Sequence, residues 1–369
     1  MKLKNIISIA LFLVATVACS MEDEKVFDDM SKAGNTTTSI NNNEVALSLK
    51  VDMASDFATK ADGDLIAPSA EEKAISSISL ILLNGSNGVI KAYDGLTVNA
   101  DNEVVFANNE VVKFLVKMGE AVGYKLMAIA NNSGVAFSNT AIYKTLADIQ
   151  AVTNGNVLGA FPKVGMTTIA ASNFTGYTGY DSAADALAND PVFVNINLTQ
   201  LAARIELVRF TADGYTAGTV AQNFTIDSVV IKNANTKSLT WASEHLDEVN
   251  CYVGENSKKE YAGGLTIFTN SVDEDFDYAF GENAPSFYSF RNNAAKTGNA
   301  VALKVYYKLG NDVKVSKDIT INGGLIEAGN LYRITLNAGI ITNNNIEFEA
   351  TCCVNDWVNN YHEMVMVEK

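Results

Sequence analysis

The chain has 369 residues, enough for two ordinary domains with sizeable apolar cores and for processing segments besides. Its 42 acidic side chains against 27 basic ones give a formal charge of −15, so the basic footprint that nucleic acid requires is missing. Only 2 His and 4 Cys occur, too few for a His-ligated metal, a Ser/His/Asp triad or a disulfide framework to be expected, and no cofactor is expected either.

The first segment reads as an export signal. Lys2 and Lys4 precede an apolar stretch from Ile6 to Val17, which is too short for an ordinary membrane span. Thr16-Val17-Ala18-Cys19 resembles a bacterial lipobox, whose cysteine is acylated and becomes the new N-terminus. Cys19 is therefore the expected lipidation site, with a plain secretory peptide as the alternative. The polar run from Ser20 to Asn43 suits a tether between a lipid and a folded body. Three further cysteines remain, Cys251, Cys352 and Cys353, and an odd number gives no tidy pairing. Neighbours on a strand point to opposite faces, so Cys352 and Cys353 cannot both enter a core, and the expectation is small apolar side chains without disulfide or metal.

Val45, Leu47, Leu49, Val51 and Met53 alternate with Ala46, Ser48, Lys50 and Asp52, which predicts a half-buried strand by the period of two. A small, polar connector follows, from Ala54 to Asp64. Ile75 to Leu83 reads as a buried strand ended by Asn84-Gly85-Ser86-Asn87-Gly88, and Lys113 to Met118 and Tyr124 to Ala130 repeat the strand signal. Ile142, Leu146 and Ile149 suit one short helix between Ala141 and Val152, whereas Tyr177 to Asp190 shows no period and reads as a long surface loop. A second body is expected from Pro191, with strands at Val192 to Leu198, Ala203 to Phe210, Phe224 to Ile231, Leu265 to Phe268, Ala300 to Lys308, Lys314 to Ile321, Leu331 to Leu336 and Ile346 to Val354. Strands at this spacing with Asn/Gly turns predict a mainly β chain of two tandem antiparallel β-sandwiches.

Chemistry-bearing motifs are weak. Asp273-Glu274-Asp275-Phe276-Asp277 lacks the spacing and glycine of a calcium loop and reads as a solvated acidic loop. Tyr177 and Tyr180 could stack on a sugar ring, but packing of the loop onto its own domain is the plainer reading. His245 and His362 lie far apart with no recurrent carboxylate partner, and no phosphate loop, dinucleotide turn or zinc motif occurs, so an enzyme is not expected.

The carboxyl end carries a family resemblance. Gly329-Asn330-Leu331-Tyr332-Arg333-Ile334-Thr335-Leu336, followed after a loop by Ile346 to Trp357 with Cys353-Val354-Asn355-Asp356-Trp357, resembles the end of the Bacteroidales fimbrillins, the subunits of type V pili. In that family an Asn-x-Tyr-x-Ile strand precedes one ending in a Cys-Val-x-x-Trp-like motif, and Thr199 to Leu207 is similar to the strand that opens the family's second domain. The resemblance implies transthyretin-like sandwiches and an organisation of signal peptide 1–18, propeptide 19–60, N-terminal domain 61–190, C-terminal domain 191–357 and donor-strand tail 358–369. It also implies a protease that removes the leader strand Val45, Leu47, Leu49, Val51 and Met53, after which the C-terminal strand of another subunit fills the groove. Burial of those five side chains amounts to about 7 to 15 kcal/mol as an upper figure.

The family's protease favours arginine, but the first arginine here is Arg204. Lys60 is the basic residue of the connector, so cleavage is expected between Lys60 and Ala61; cleavage after Lys50 would split the strand. Two registers fit the tail as a donor: Tyr361, Val365 and Val367 inward, which is preferred, or Met364 and Met366 inward with His362. The implied partners are copies of itself, related pilus subunits, the maturation protease, host or bacterial receptors and, before cleavage, the outer membrane through lipid. The implied location is the fimbrium and outer-membrane surface, reached through the periplasm, with roles in adhesion and biofilm formation. The alternative is a surface lipoprotein that binds a glycan and keeps its first strand.

Overall fold

The structure is a computed structural model and describes residues 43–52, 70–132, 134–155, 161–212, 224–240, 255–268, 276–281, 284–293, 298–341, 346–356 and 364–367. In chain order the first strands are β1 (Glu44–Asp52), β2 (Ile78–Leu83), β3 (Val89–Val98), β4 (Val104–Val105), β5 (Phe114–Lys117), β6 (Lys125–Ala130), β7 (Thr153–Gly155), β8 (Lys163–Thr168), β9 (Val192–Asn197) and β10 (Thr199–Gln200). The chain continues with β11 (Ala202–Ala212), β12 (Phe224–Lys232), β13 (Lys237–Leu239), β14 (Glu255–Phe268), β15 (Phe276–Ala279), β16 (Ser286–Phe290) and β17 (Asn292–Asn293). It ends with β18 (Ala302–Leu309), β19 (Asp312–Val315), β20 (Ile319–Thr320), β21 (Leu325–Ile326), β22 (Asn330–Ile341), β23 (Ile346–Asp356) and β24 (Met364–Val367). Short helices intervene at α1 (Ala70–Lys73), α2 (Met118–Ala121), α3 (Leu146–Gln150) and α4 (Ala183–Ala188).

The first layers are a three-stranded sheet, β5-β1-β9, and a six-stranded sheet, β10-β8-β6-β2-β3-β4. Val45, Leu47, Leu49 and Val51 from β1 meet Leu80, Leu82, Leu126 and Ala128 from the larger sheet in one apolar cluster. The far face of that larger sheet is covered too, since Ile81, Leu83, Met127 and Ile129 pack with Phe137 and with Leu146 and Ile149 of α3. Two covered faces explain why Ile78-Ser79-Leu80-Ile81-Leu82-Leu83 is buried at every position instead of alternating. Its one polar member, Ser79, donates from Oγ to Asp94 Oδ1 at 2.7 Å, which removes the penalty of burying a hydroxyl.

The later strands form a second face-to-face pair. The sheet β15-β11-β22-β23-β24, with β16 beside β11, packs on β14-β12-β18-β19, with β20 beside β18. Ile205, Leu207, Ile334 and Leu336 of the first sheet interlock with Ile226, Val229, Leu303 and Val305 of the second. Cys352 belongs to this core while its neighbour Cys353 is only half-buried, as opposite-facing neighbours on a strand must be.

Several expectations change. Pairing is not wholly antiparallel, because β1 runs parallel to β9 and β11 parallel to β22. The strand β9 at Val192–Asn197, expected to open the second body, instead pairs with β1 in the first layers; alternation reveals a buried face but not the sheet that covers it. Lys314 to Ile321 holds two short strands, β19 and β20, which pair separately with β18. The expected loop from Tyr177 to Asp190 contains α4, whose start is set by Ser182 accepting the Asp185 N–H. The short helix expected between Ala141 and Val152 does form, at Leu146–Gln150, where Thr145 and Asp148 make a capping box.

Between the two sandwiches lies a buried charge cluster. Arg204 of β11 places Nη1 2.8 Å from Glu72 Oε2 of α1 and Nη2 2.5 Å from Glu206 Oε1. Tyr288 of β16 donates to Glu72 Oε1 at 2.6 Å, and Gln200 Nε2 donates to the Glu72 carbonyl at 2.7 Å. Lys163 of β8 donates from Nζ to the carbonyls of Ala74 at 3.0 Å and Phe161 at 3.3 Å. Burial pushes the Glu206 carboxyl up, with Arg204 and Arg333 opposing, and burial together with the Glu72 carboxylate pushes the Tyr288 phenol up so that it stays a donor. These contacts tie α1, which follows residues 53–69, to strands of the second sandwich.

Replacing Arg204 with Leu would leave two buried carboxylates without their shared cation, and is expected to cost about 3–5 kcal/mol in urea denaturation. A loss under about 1 kcal/mol, as for a surface pair, would contradict this role. Burial also lowers Lys163 to about 8 from its ordinary 10.5. The unfolded chain therefore binds more protons than the folded one across that interval, and stability rises as pH climbs from about 8 to 10.5. Lys163→Met is expected to flatten that rise when melting temperatures of the two proteins are compared across the range.

Candidate functional site

The candidate site is β1 and the cradle around it. Glu44 to Leu47 pair antiparallel with Lys117 to Phe114 of β5, and Leu47 to Asp52 pair parallel with Val192 to Asn197 of β9. Beyond the end of β5, the Val51 N–H donates to the Asn102 carbonyl at 2.8 Å, and Lys50 forms an ion pair with Glu103 at 3.2 Å. At the start of the strand, the Met118 N–H donates to the Asn43 carbonyl at 3.1 Å. The strand is thus the middle member of its sheet, and without it β5 and β9 would have no ladder between them.

The inward row is the predicted one. Val45, Leu47, Leu49 and Val51 are all buried in the core, while Met53 lies outside the described residues. The outward row departs from the half-buried expectation. Ala46 is 2% exposed and Ser48 0%, because this face is roofed instead of facing water. The roof is α4, which packs on β1 and β5 with Ala186 fully buried. Lys113, just before β5, donates from Nζ to the carbonyls of Leu187 and Asn189 at 2.8 Å each, satisfying the helix's C-terminal end. The approach continues upstream, where Glu44 and Tyr180 exchange backbone hydrogen bonds of 2.8 and 2.9 Å. Gly179 makes this closeness possible: its φ is +67°, and a Cβ there would sit 2.6 Å from Asn43 Cβ.

This roof was missed in the sequence, although its signals were present. Ser182-Ala183-Ala184-Asp185 is a capped start followed by alanines, and the outward residues of β1 are small under the helix and charged only beyond it. Tyr180 enters through its backbone, and Tyr177 stays nearly half exposed at the rim. Asp277 of the acidic run is paired with Arg209, whose hydrogen bond holds the carboxyl below the usual range; residues 273–275 lie outside the described ones.

Cys19, Lys60, Ala61, Tyr361, His245 and His362 also lie outside the described residues. Val365 and Val367 fall in β24, which pairs antiparallel with β23 of the same chain, Val365 opposite Cys353 and Val367 opposite Thr351. Met366 stands in register with the core-facing Cys352. Among the described residues no cluster of three or more His, Cys, Asp or Glu could hold a metal, and no helix is long and apolar enough to cross a membrane.

Leu47→Ala and Leu49→Ala are each expected to lower unfolding free energy by about 2–5 kcal/mol, since the leucines are enclosed on every side. Lys50→Ala, which loses a partly exposed ion pair and a contact with the Phe193 ring, should cost about 1 kcal/mol or less. Equal effects in chemical denaturation would show that burial does not hold this strand.

No protein-family model matches the chain, and neither does any curated protein sequence. Solved structures do match. A protein of Parabacteroides distasonis assigned to cell adhesion superposes with a TM-score of 0.53 at 15% identity, covering 85% of this chain and 98% of that one. A fimbrilin from Porphyromonas gingivalis superposes with a TM-score of 0.51 at 14% identity, covering 87% of this chain and 99% of that one. The structural neighbours of this chain are thus Bacteroidales fimbrillins and cell-adhesion proteins, and it has their fold over most of its length.

Proposed function

We propose that the chain is a structural subunit of a bacterial surface fimbria, exported as a lipoprotein through Cys19, cut between Lys60 and Ala61, and polymerised by strand exchange to support adhesion and biofilm formation. The observation that carries the reading is the position of β1: first among the described elements, central in its sheet, and separated from α1 by residues 53–69. A cut in that interval would leave β1 held by non-covalent contacts alone. Its departure would open a groove between β5 and β9, and an incoming strand would recover a similar burial. The cluster at Glu72 would hold α1 in place on the other side of the cut.

In this reading 61–190 and 191–357 serve as the two sandwich domains, with β9 contributed back to the first, and 358–369 is the donor tail, with Val365 and Val367 preferred inward. The tail would have to leave β23 to act as a donor. Only one face of its ladder is engaged there, because β24 stands at the sheet edge. The fimbrial and adhesion neighbours support a structural subunit located on the cell surface and not an enzyme. That same pairing of β24 with its own chain favours a second reading, a surface lipoprotein that keeps β1 for life and binds a glycan.

Three measurements test the first reading. Protein shed from cells should begin at Ala61 by N-terminal sequencing; another start would refute that cleavage choice, and fibres retaining residues 44–52 would refute strand exchange. Cys19→Ala should abolish fatty-acid labelling and block maturation. Deletion of residues 361–369 should leave an exported, cleaved monomer that no longer forms polymer ladders in unheated detergent gels, and ladders of normal length would overturn the donor role of the tail; intact lipid-bearing chains with no ladder from the undeleted protein would favour the second reading.

A further inference from the structure

The outward row of β1 carries information separate from that of its inward row. Ala46 and Ser48 are buried although they point away from the core, and nothing larger stands at either position. Among the described residues Ser48 Oγ has no hydrogen-bond partner, which points to a serine held for its size and not for a polar contact. Ala46 lies opposite Leu115 and Ser48 opposite Phe193, which leaves the space between these larger neighbours and α4 for small side chains only. The roof is fastened at both ends: Glu44 and Tyr180 join their backbones, with Asn43 Nδ2 donating to the Thr178 carbonyl at 2.9 Å, and Lys113 ties down the last turn of α4.

We propose that residues 177–189, with α4, form a latch that selects the strand occupying the place of β1, admitting when closed only a strand with residues of Ala or Ser size at the two outward positions. This rests on the strand-exchange reading and deepens it by naming the partner class. The latch looks outward, so it acts independently of the apolar pockets that read the inward row. It also bears on the chain's own tail. With Val365 and Val367 inward, Met364 and Met366 would come under the latch; in the other register Val365 and Val367 would. Either choice exceeds the closed space, so this chain's tail enters a like subunit only with α4 displaced, and a closed latch accepts the small-alternating strand of a different subunit.

The test uses the full chain with a specific protease site placed within residues 53–69 and cut after folding, so that β1 remains seated but is no longer covalently attached. Three fluorescent peptides then compete for its place: residues 43–53, the same peptide with Ala46→Leu and Ser48→Leu, and residues 358–369. The first peptide is expected to enter, and the leucine peptide to enter at least about tenfold more slowly because overpacking must be relieved. The tail peptide should behave like the leucine peptide. Lys113→Ala in the protein, which unfastens α4 at an exposed position, should bring the three rates together. Equal entry of the first two peptides into the wild-type protein overturns the latch, and so does fast entry of the tail peptide; neither comparison depends on the Lys113 variant. Entry of no peptide into any variant overturns strand exchange itself, and the latch with it.

Discussion

The structure depends on one strand being enclosed from four directions. β1 has a ladder on each edge, an apolar core beneath and a helix above, and removal of any one of these would still leave the other three to hold it. Such an enclosure is ordinary for a central strand, and here it belongs to the first strand among the described residues. Backbone groups in the middle of a sheet cannot be satisfied by water, so β5 and β9 require an occupant between them whatever its covalent origin. On the strand-exchange reading this requirement makes β1 at once a structural necessity and a replaceable part: apart from the Lys50 contacts it is held by generic hydrogen bonds and alternating aliphatic packing, which another strand of suitable pattern would reproduce.

The rest of the fold isolates that vulnerability. The larger sheet of the first sandwich is buried on both faces, so its own core against Phe137 and α3 does not rely on β1. The charge cluster around Arg204 then fastens α1 beside the second sandwich. Ion pairs of this kind add little net stability relative to an apolar alternative, because desolvation offsets attraction, but they penalise any arrangement in which one partner is missing. Their effect is positional: Glu72 is held by Arg204 and Tyr288, residues far along the sequence. The chain thus combines an exchangeable strand on one side of residues 53–69 with a fixed anchor on the other.

Large parts of this were legible from residue order. Alternation identified β1 and β9, and apolar runs closed by Asn/Gly turns identified β2 and β6, because side-chain period is a local property of the backbone. The inward residues Val45, Leu47, Leu49 and Val51 were legible for the same reason. The ladder partners were not. Nothing in Val192–Asn197 says that it runs parallel to a strand about 145 residues earlier, since parallel and antiparallel strands share one period. The roofing of Ala46 and Ser48 has no local signature, because small residues between large ones look the same whether they meet water or a helix.

Composition and period are sufficient to establish an acidic, mainly β chain with an alternating first strand, and to exclude a basic nucleic-acid surface, because charge and side-chain direction are set residue by residue. Which strands share a sheet, that β9 returns to the first sandwich, that α4 closes over β1, and that Glu72 meets Arg204 across 132 positions emerge only when the chain is folded. These are contacts between segments far apart in sequence, chosen by which apolar faces cover one another and which buried charges find a partner, and no local pattern encodes a distance in space.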